Sequence, residues 1–317
     1  MALTRREMLV AAAALTMPRS GPLQAAEPPL LKLVVPFAAG SAPDLIARLL
    51  AQAWGRPVTV VNMPGAGGNI GVDHVAKALA DGYTLVLAGD AALVVNPSIY
   101  ESMPFDPQRD LAPVSQIAVT PNLLVVAATS PFTSVADIVA AARRAPGRLT
   151  YASAGAGTSS HRSGEWLKRA EAIDIAHVPY RTSLLPDVVN GNVSFAFANV
   201  ATAMPMVREG QLRALAAGGR ARLDVAPGLP TMIELGYEDF ESVAWFGLLV
   251  PAGTPEGMII GLHADLAVTG ADPAVRRKLF AIGADPVFGT PDAFASLIGT
   301  ETQKWALLMK RTGIRVP

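Results

Sequence analysis

Short runs rich in Val, Leu and Ile recur along this chain, set between Gly and Pro and interleaved with stretches whose apolar residues fall at helical spacing. That alternation predicts parallel sheets covered by helices. Strands are expected at 31–35, 58–62, 84–88, 123–127, 149–152, 175–178, 193–198 and 212–217, with one further apolar run at 243–250. Helices are expected at 44–54, 70–79, 135–144, 160–170 and 184–189, then at 255–268, 273–282 and 291–310. At 317 residues the chain exceeds one small core and suits two α/β lobes. The last third holds too few strands for a sheet of its own, so its helices are expected to pack back on the first lobe. Residues 27–122 and 245–317 then form one lobe and 123–244 the other, with chain crossings near 117–127 and 243–250. Paired crossings make a hinge, and hinged lobes close around ligands.

Residues 1–26 read as a separate segment. Arg5 and Arg6 precede an apolar stretch over 8–17, and small residues follow around Ala25 and Ala26. This is the order of a secretory signal, and Thr4-Arg5-Arg6 also suits a twin-arginine route. A disordered tail with a chance apolar helix is the alternative. Without this segment the chain loses Arg5, Arg6, Arg19 and Glu7 and carries a net charge of −2. Hydrophobic residues make up 51%, yet no later run approaches the roughly 20 residues of a membrane span. Aromatic residues are 6% and no basic stripe occurs, which argues against nucleic-acid binding. The absence of cysteine removes disulfides, thiolate metal sites, a cysteine nucleophile and a lipid-modified cysteine.

Two turns stand where a strand gives way to a helix. The first is Val35-Pro-Phe-Ala-Ala-Gly-Ser-Ala-Pro-Asp44 and the second Ala152-Ser-Ala-Gly-Ala-Gly-Thr-Ser-Ser-His161. Each sets small residues and hydroxyls at a helix start, where N–H groups and the helix dipole favour a carboxylate. Glycine there lets a ligand approach the backbone closely. Ordinary capping by Ser41 or Thr158 explains the same residues without a ligand. Asp90 follows the strand at 84–88 and should emerge at the same edge. It either caps the helix before Leu93 or faces the cleft, where it would favour a ligand with an amino or amide group.

Enzyme signatures are weak. Gly155-Ala-Gly157-Thr-Ser-Ser160 has Ser where the third glycine of a dinucleotide fingerprint belongs. Ser160 and His161 are neighbours on a predicted helix and face apart, so they make a poor nucleophile and base. His74, His161, His177 and His263 lack the paired spacing of a helical zinc site. No cofactor or metal is expected.

In order along the chain come Val35-Pro36-Phe37 with Gly40 and Asp44, Asn62-Met-Pro-Gly-Ala-Gly-Gly-Asn-Ile-Gly71, Asp81-Gly-Tyr-Thr-Leu85 and Asn96-Pro97. Asp110-Leu-Ala-Pro-Val114, the second turn, His177-Val-Pro-Tyr180, Leu212-Arg-Ala-Leu215, Trp245-Phe-Gly247, Pro251-Ala-Gly-Thr-Pro255 and Trp305 follow. Over residues 31–314 this series resembles the Bug receptors, the tripartite tricarboxylate transporter substrate-binding (TctC-like) family. The resemblance implies a periplasmic binding protein type II-like α/β fold, two lobes joined by two crossing strands with the ligand cleft between. It implies ligands that are carboxylates or related metabolites; a receptor of this kind is expected to hand its ligand to membrane transporter subunits or report it to a sensor ectodomain. It places Phe37, Ala38, Gly40 and Ser41 in a first ligand loop and Gly89 and Asp90 beside it. Ala154, Gly157, Thr158 and Ser159 fall at the second helix start, with Asn199 nearby. The chain departs from the family pattern at Ser41-Ala42-Pro43, at Asp90, at Ala198 and at Arg181-Thr182-Ser183, where the loop is about two residues shorter.

These features support a monomeric periplasmic receptor that binds a small organic acid, amino acid or amide and performs no chemistry on it. The altered loops also fit a paralogue that has lost its ligand and acts through protein contacts, with a cleft blocked by Pro43 or Leu184. A periplasmic enzyme is the third reading.

Overall fold

The computed structural model describes residues 30–312, so the expected export signal at 1–26 lies outside the described residues. The chain opens with β1 (Leu31–Val35), α1 (Ala42–Ala53), β2 (Val58–Asn62), α2 (Asn69–Ala76) and β3 (Thr84–Gly89). β1 pairs in parallel with both β2 and β3. Leu31, Leu33, Val34 and Val35 are fully buried and only Lys32 is partly exposed, as an aliphatic-rich strand requires when both its faces are covered. A π-helical turn over Ala91–Val95 and the short α3 (Asn96–Ile99) then lead into β4 (Leu111–Ala127).

β4 is the organising element. Its 17 residues, at about 3.3 Å each, reach roughly 55 Å, long enough to serve two sheets. From Leu111 to Pro121 it pairs antiparallel with β9 (Val243–Pro251); from Asn122 onward it pairs with β7 (Phe195–Asn199), and from Leu123 with β8 (Leu212–Ala217). The strand order is β2-β1-β3-β9-β4-β7-β5-β6, with β8 and β10 (Asp285–Pro286) also on β4. At the changeover the Asn122 N–H donates to the Ser242 carbonyl, and the Asn122 carbonyl accepts from the Gly218 N–H, both at 2.8 Å.

The second half of the sheet is built from α4 (Val135–Arg144), β5 (Thr150–Ser153), α5 (Ser159–Ala170), β6 (Ala176–Pro179) and α6 (Leu185–Val189), with β7 and α7 (Val200–Arg208) following. A reciprocal capping box between Ser134 and Asp137 starts α4. β5 is parallel to β6 and to β7. The chain ends in α8 (Glu256–Ala271), α9 (Pro273–Ala281) and α10 (Pro291–Thr312). Leu262, Leu266, Val275 and Leu279 share a core with Leu31, Leu33 and Val35, while Phe294 and Ile298 join Val34, Val86 and Val94 on the other face. Each such side chain contributes about 1.5–3 kcal/mol on burial. The helices of the last third therefore cover the first half-sheet.

Several elements differ from the expectation: the π-helical turn over Ala91–Val95, α3 and β10 fall where the sequence predicts none, and β4 and α7 depart from it for identifiable reasons. β4 begins at Leu111 rather than 123, because Pro113, Ser115, Gln116 and Pro121 break its apolar run. Its pairing with β9 shifts register at Pro113/Ser115 and at Gln116/Ala118, which accommodates those residues. α7 was not anticipated, since Pro205 lies inside it.

Candidate ligand-binding site

The loops after β1, β2, β5 and β6, together with the β7–α7 junction, leave the C-terminal ends of parallel strands. They converge on a cavity of about 290 Å³ between the two half-sheets. Open α/β sheets place ligand crevices at such strand ends. The first half contributes residues 37–42 and 64–68 with Tyr100, the second 154–156, 179–185 and 197–199 with Ser160 and Thr202, and Asn122 comes from the shared strand. Of the residues expected to bind ligand, Phe37, Ala38, Gly40, Ser41, Ala154 and Asn199 line the cavity, whereas Gly89, Asp90, Gly157, Thr158 and Ser159 do not.

In the first loop, Gly40 takes a φ of +76°, and its N–H donates to Asp44 Oδ2 at 2.8 Å. Asp44 also receives Arg48 Nε and Asn62 Nδ2, each at 2.9 Å. Burial alone would raise this carboxyl, but the bonds from Arg48, Gly40 and Asn62 hold it below its ordinary range. The carboxylate is therefore committed to the loop, and the Gly40 N–H with it. Ser41 occupies the N-cap position of α1 without a side-chain capping bond. Its hydroxyl is buried, lines the cavity and has no hydrogen-bond partner among the described residues. The N–H groups of Ala38 and Ala39 beside it are likewise unengaged within the described residues. A buried hydroxyl without a partner costs about 1–3 kcal/mol, and the Ser41 hydroxyl is one that opens on the cavity.

The second loop is satisfied internally. The Ala154 N–H donates to Ser160 Oγ (3.1 Å), Gly155 N–H to Ser153 Oγ (3.1 Å) and Gly157 N–H to His161 Nδ1 (3.2 Å). Thr158 is the N-cap of α5 by backbone position, but its hydroxyl donates to the Gly155 carbonyl at 2.6 Å and meets Ser160 Oγ at 2.9 Å. Most N–H groups that the sequence offers to an anion here are occupied. His161 and His177 lie with their rings tilted by 30° and centroids 4.3 Å apart, and His177 Nε2 lies 2.6 Å from Ser153 Oγ. Desolvation first, and then the neighbouring ring, lowers His161 to about 4; desolvation lowers His177 to about 4 as well. Both rings are neutral at pH 7, so His161 Nδ1 can accept from Gly157.

Two glycine loops meet across the cavity. A Cβ on Gly67 would sit 2.3 Å from the Ala156 carbonyl oxygen, and one on Gly155 3.3 Å from Gly67 Cα. Gly157 stands against Asn96, whose Oδ1 a Cβ would approach to 2.0 Å. At Gly67 and Gly155 the contact between the halves is thus backbone on backbone, which side chains there would forbid.

Asp90 does not open on the cavity. It is buried, ion-paired with Arg162 of α5, and makes no side-chain capping bond. Among the residues lining the cavity, none is acidic and Arg181 is the one with a formal positive charge. Sequence reasoning passed over Arg181, Tyr100, Asn122, Tyr180, Phe197 and Thr202. The Gly65–Gly68 cluster and the departure at 181–183 were the signals present.

A two-part α/β sheet joined through a shared strand, with a cavity between the parts at the strand ends, is the arrangement of a solute-binding protein of the periplasmic binding protein fold. The chain belongs to the tripartite tricarboxylate transporter receptor family: residues 44–314 match the model described as "Tripartite tricarboxylate transporter family receptor". Protein BugT of Bordetella pertussis is 34% identical over 316 residues, 98% of this chain and 96% of that protein. Among solved structures, R. palustris Rpa4515 with adipate is 34% identical with a TM-score of 0.86, covering 91% of this chain and 99% of that one. MatC from Rhodopseudomonas palustris with bound malate is 30% identical with a TM-score of 0.82, covering 87% and 97%. The family is one of periplasmic solute-binding receptors.

Proposed function

We propose that this chain works in the periplasm, capturing a small carboxylate-containing metabolite between its lobes for a tripartite tricarboxylate-type transporter or a sensor. The lobes are taken as residues 27–122 with 245–317, and 123–244. The observation that carries the reading is the first-loop corner: the unpartnered, buried Ser41 hydroxyl beside the N–H groups of Ala38 and Ala39. All three donate, and no acidic side chain lines the cavity to repel an anion. Arg181 adds a positive charge at the second-lobe wall. Phe37, Leu184, Leu185 and Phe197 suit a hydrocarbon body between polar ends. The volume, about 290 Å³, is at the low end of the roughly 300–1,000 Å³ of small-molecule sites, which favours a compact acid.

The adipate and malate bound by the two R. palustris neighbours support the same ligand class. With Asp90 engaged by Arg162, the argument for an amino or amide ligand loses its basis, and plain carboxylates are favoured. Leu184 lines the cavity without filling it, and Pro43 is not among the lining residues. The test is calorimetric titration of the purified protein with malate, with adipate and with the neutral diamide of adipate. Saturable binding of a carboxylate, at least about tenfold tighter than the diamide, is expected. A folded protein that binds neither the acids nor related small carboxylates overturns the reading.

A further inference from the structure

Arg162 projects from α5 of the second half, yet its closest partner belongs to the first. Its Nη2 meets Asp90 Oδ2, just beyond the end of β3, in an ion pair with side-chain exposures of 11% and 6%. Its guanidinium lies over the ring of Trp305 on α10, 4.3 Å from the centroid. Trp305 packs on the first-half core and is fixed by Nε1 donating to Glu301 Oε2 at 2.8 Å. The same guanidinium reaches back through Nη1 to the Gly157 carbonyl at 2.7 Å, on the loop that borders the cavity. Planar donation in two directions, with a ring covering the third face, is chemistry that arginine supplies and lysine does not.

We propose that Asp90 and Arg162, capped by Trp305, are positioning residues that latch the two lobes together and hold the Gly157 loop against the first lobe. The proposal deepens the receptor reading and rests on the lobes opening and closing, but on no particular ligand. Its physical basis is an asymmetry between two states. When the lobes part, both charges gain water; when they meet, each is buried and depends on the other. A buried pair contributes little net stability, but deleting one partner strands the other charge and costs far more. The latch therefore makes the closed state conditional on both residues. Burial pushes the Asp90 carboxyl up, while Arg162 pulls it back, as a carboxylate enclosed with its one counter-charge requires.

The chain has no cysteine, so labels placed at Gln52→Cys and Arg144→Cys report the distance between the halves without ambiguity. Both positions are exposed and lie on α1 and α4. Interlobe distances by paired spin labels are compared for the wild type, Arg162→Met, Arg162→Lys, Asp90→Asn and the double variant Asp90→Asn/Arg162→Met. Each protein is measured alone and with malate or adipate. Arg162→Met leaves a long apolar side chain at the position but strands Asp90, and is expected to lower the closed-to-open ratio at least about tenfold. Arg162→Lys should recover part of that loss, because a charge remains for Asp90. The double variant should close more readily than Arg162→Met alone, since no buried charge is then unpaired. Thermal melting of each variant separates this from a folding defect, and the lysine variant serves if the methionine variant does not fold. Identical distance distributions in wild type and variants overturn the latch, as does a wild type found only in the open form. A carboxylate held equally by all the variants would do so too while leaving the receptor reading intact. A latch seen in the distances of a protein that binds no carboxylate reverses that outcome.

Discussion

At the residue scale, two hydroxyls that the sequence treats alike have opposite duties. Ser41 and Thr158 both begin helices after glycine-rich turns, and neither caps with its side chain. Thr158 is spent on the Gly155 carbonyl and Ser160; Ser41 has no partner among the described residues. Replacing Ser41 with Ala should therefore weaken carboxylate binding by about 1.5–3 kcal/mol, tenfold or more, while the melting temperature without ligand stays unchanged or rises slightly. Titration calorimetry and thermal melts of the same preparation check both halves of that statement. Unaltered affinity would move the carboxylate away from the first loop. The sequence could place both residues at helix starts, because strand, glycine turn and helix follow one another locally. It could not tell them apart, because what distinguishes them is whether a Gly155 or a Ser160 stands within reach. The same limit applies to Asp90, whose partner Arg162 lies 72 residues away.

At the element scale, legibility followed the apolar pattern. β1, β2, α4 and β8 were read to the residue because their Val, Leu and Ala runs are bounded by turn residues. β4 was read only in its second part, since its first ten residues mix Pro, Ser and Gln into a strand whose neighbours supply the order. The turn joining β5 to α5 is held from beneath by His161 and His177, and this gives it a pH signature. Their ordinary value is 6.5 and their folded value about 4, so the unfolded chain binds protons that the folded one refuses. The stability they contribute is complete above pH 6.5 and is lost progressively as pH falls towards 4. Glu165, Lys168, Arg162 and Tyr151 face the pair; Glu165 favours protonation, and the two cations oppose it. Melting temperature should therefore decline between pH 6.5 and 4.5, and His177→Gln should make that decline shallower. Parallel curves for the two proteins would remove the histidines as its cause.

At the scale of the whole molecule, the two half-sheets share one strand, where the proposed opening would turn, and a single side chain ties that point together. Asn122 Nδ2 donates to Ser242 Oγ at 2.8 Å and to Ser159 Oγ at 3.0 Å, while its Oδ1 accepts from Asn199 Nδ2 at 2.8 Å. Ser163 Oγ joins Ser242 and also donates to the Ser159 carbonyl at 2.7 Å. One buried amide thus connects β4, the start of α5, the end of β7 and the approach to β9, and it lines the cavity as well. The backbone bonds between Asn122, Ser242 and Gly218 do not depend on that side chain, so an Asn122→Ala variant retains its strand pairing. It loses the bonds that tie the crossover to the start of α5, the end of β7 and the approach to β9, and leaves several buried polar groups short of partners, each at about 1–3 kcal/mol. The expected result is a protein that folds with a lower melting temperature and exchanges hydrogen faster at amides around 120–123, 218 and 242. Exchange in the aliphatic cores of β1 and β3 should change far less, because unfolding there exposes a separate cluster. Carboxylate affinity should fall through faster dissociation, since a looser hinge reopens more often. Uniform acceleration of exchange across both cores would instead make Asn122 an ordinary stabilising residue. Unchanged exchange at the junction would show that the backbone bonds alone set the hinge.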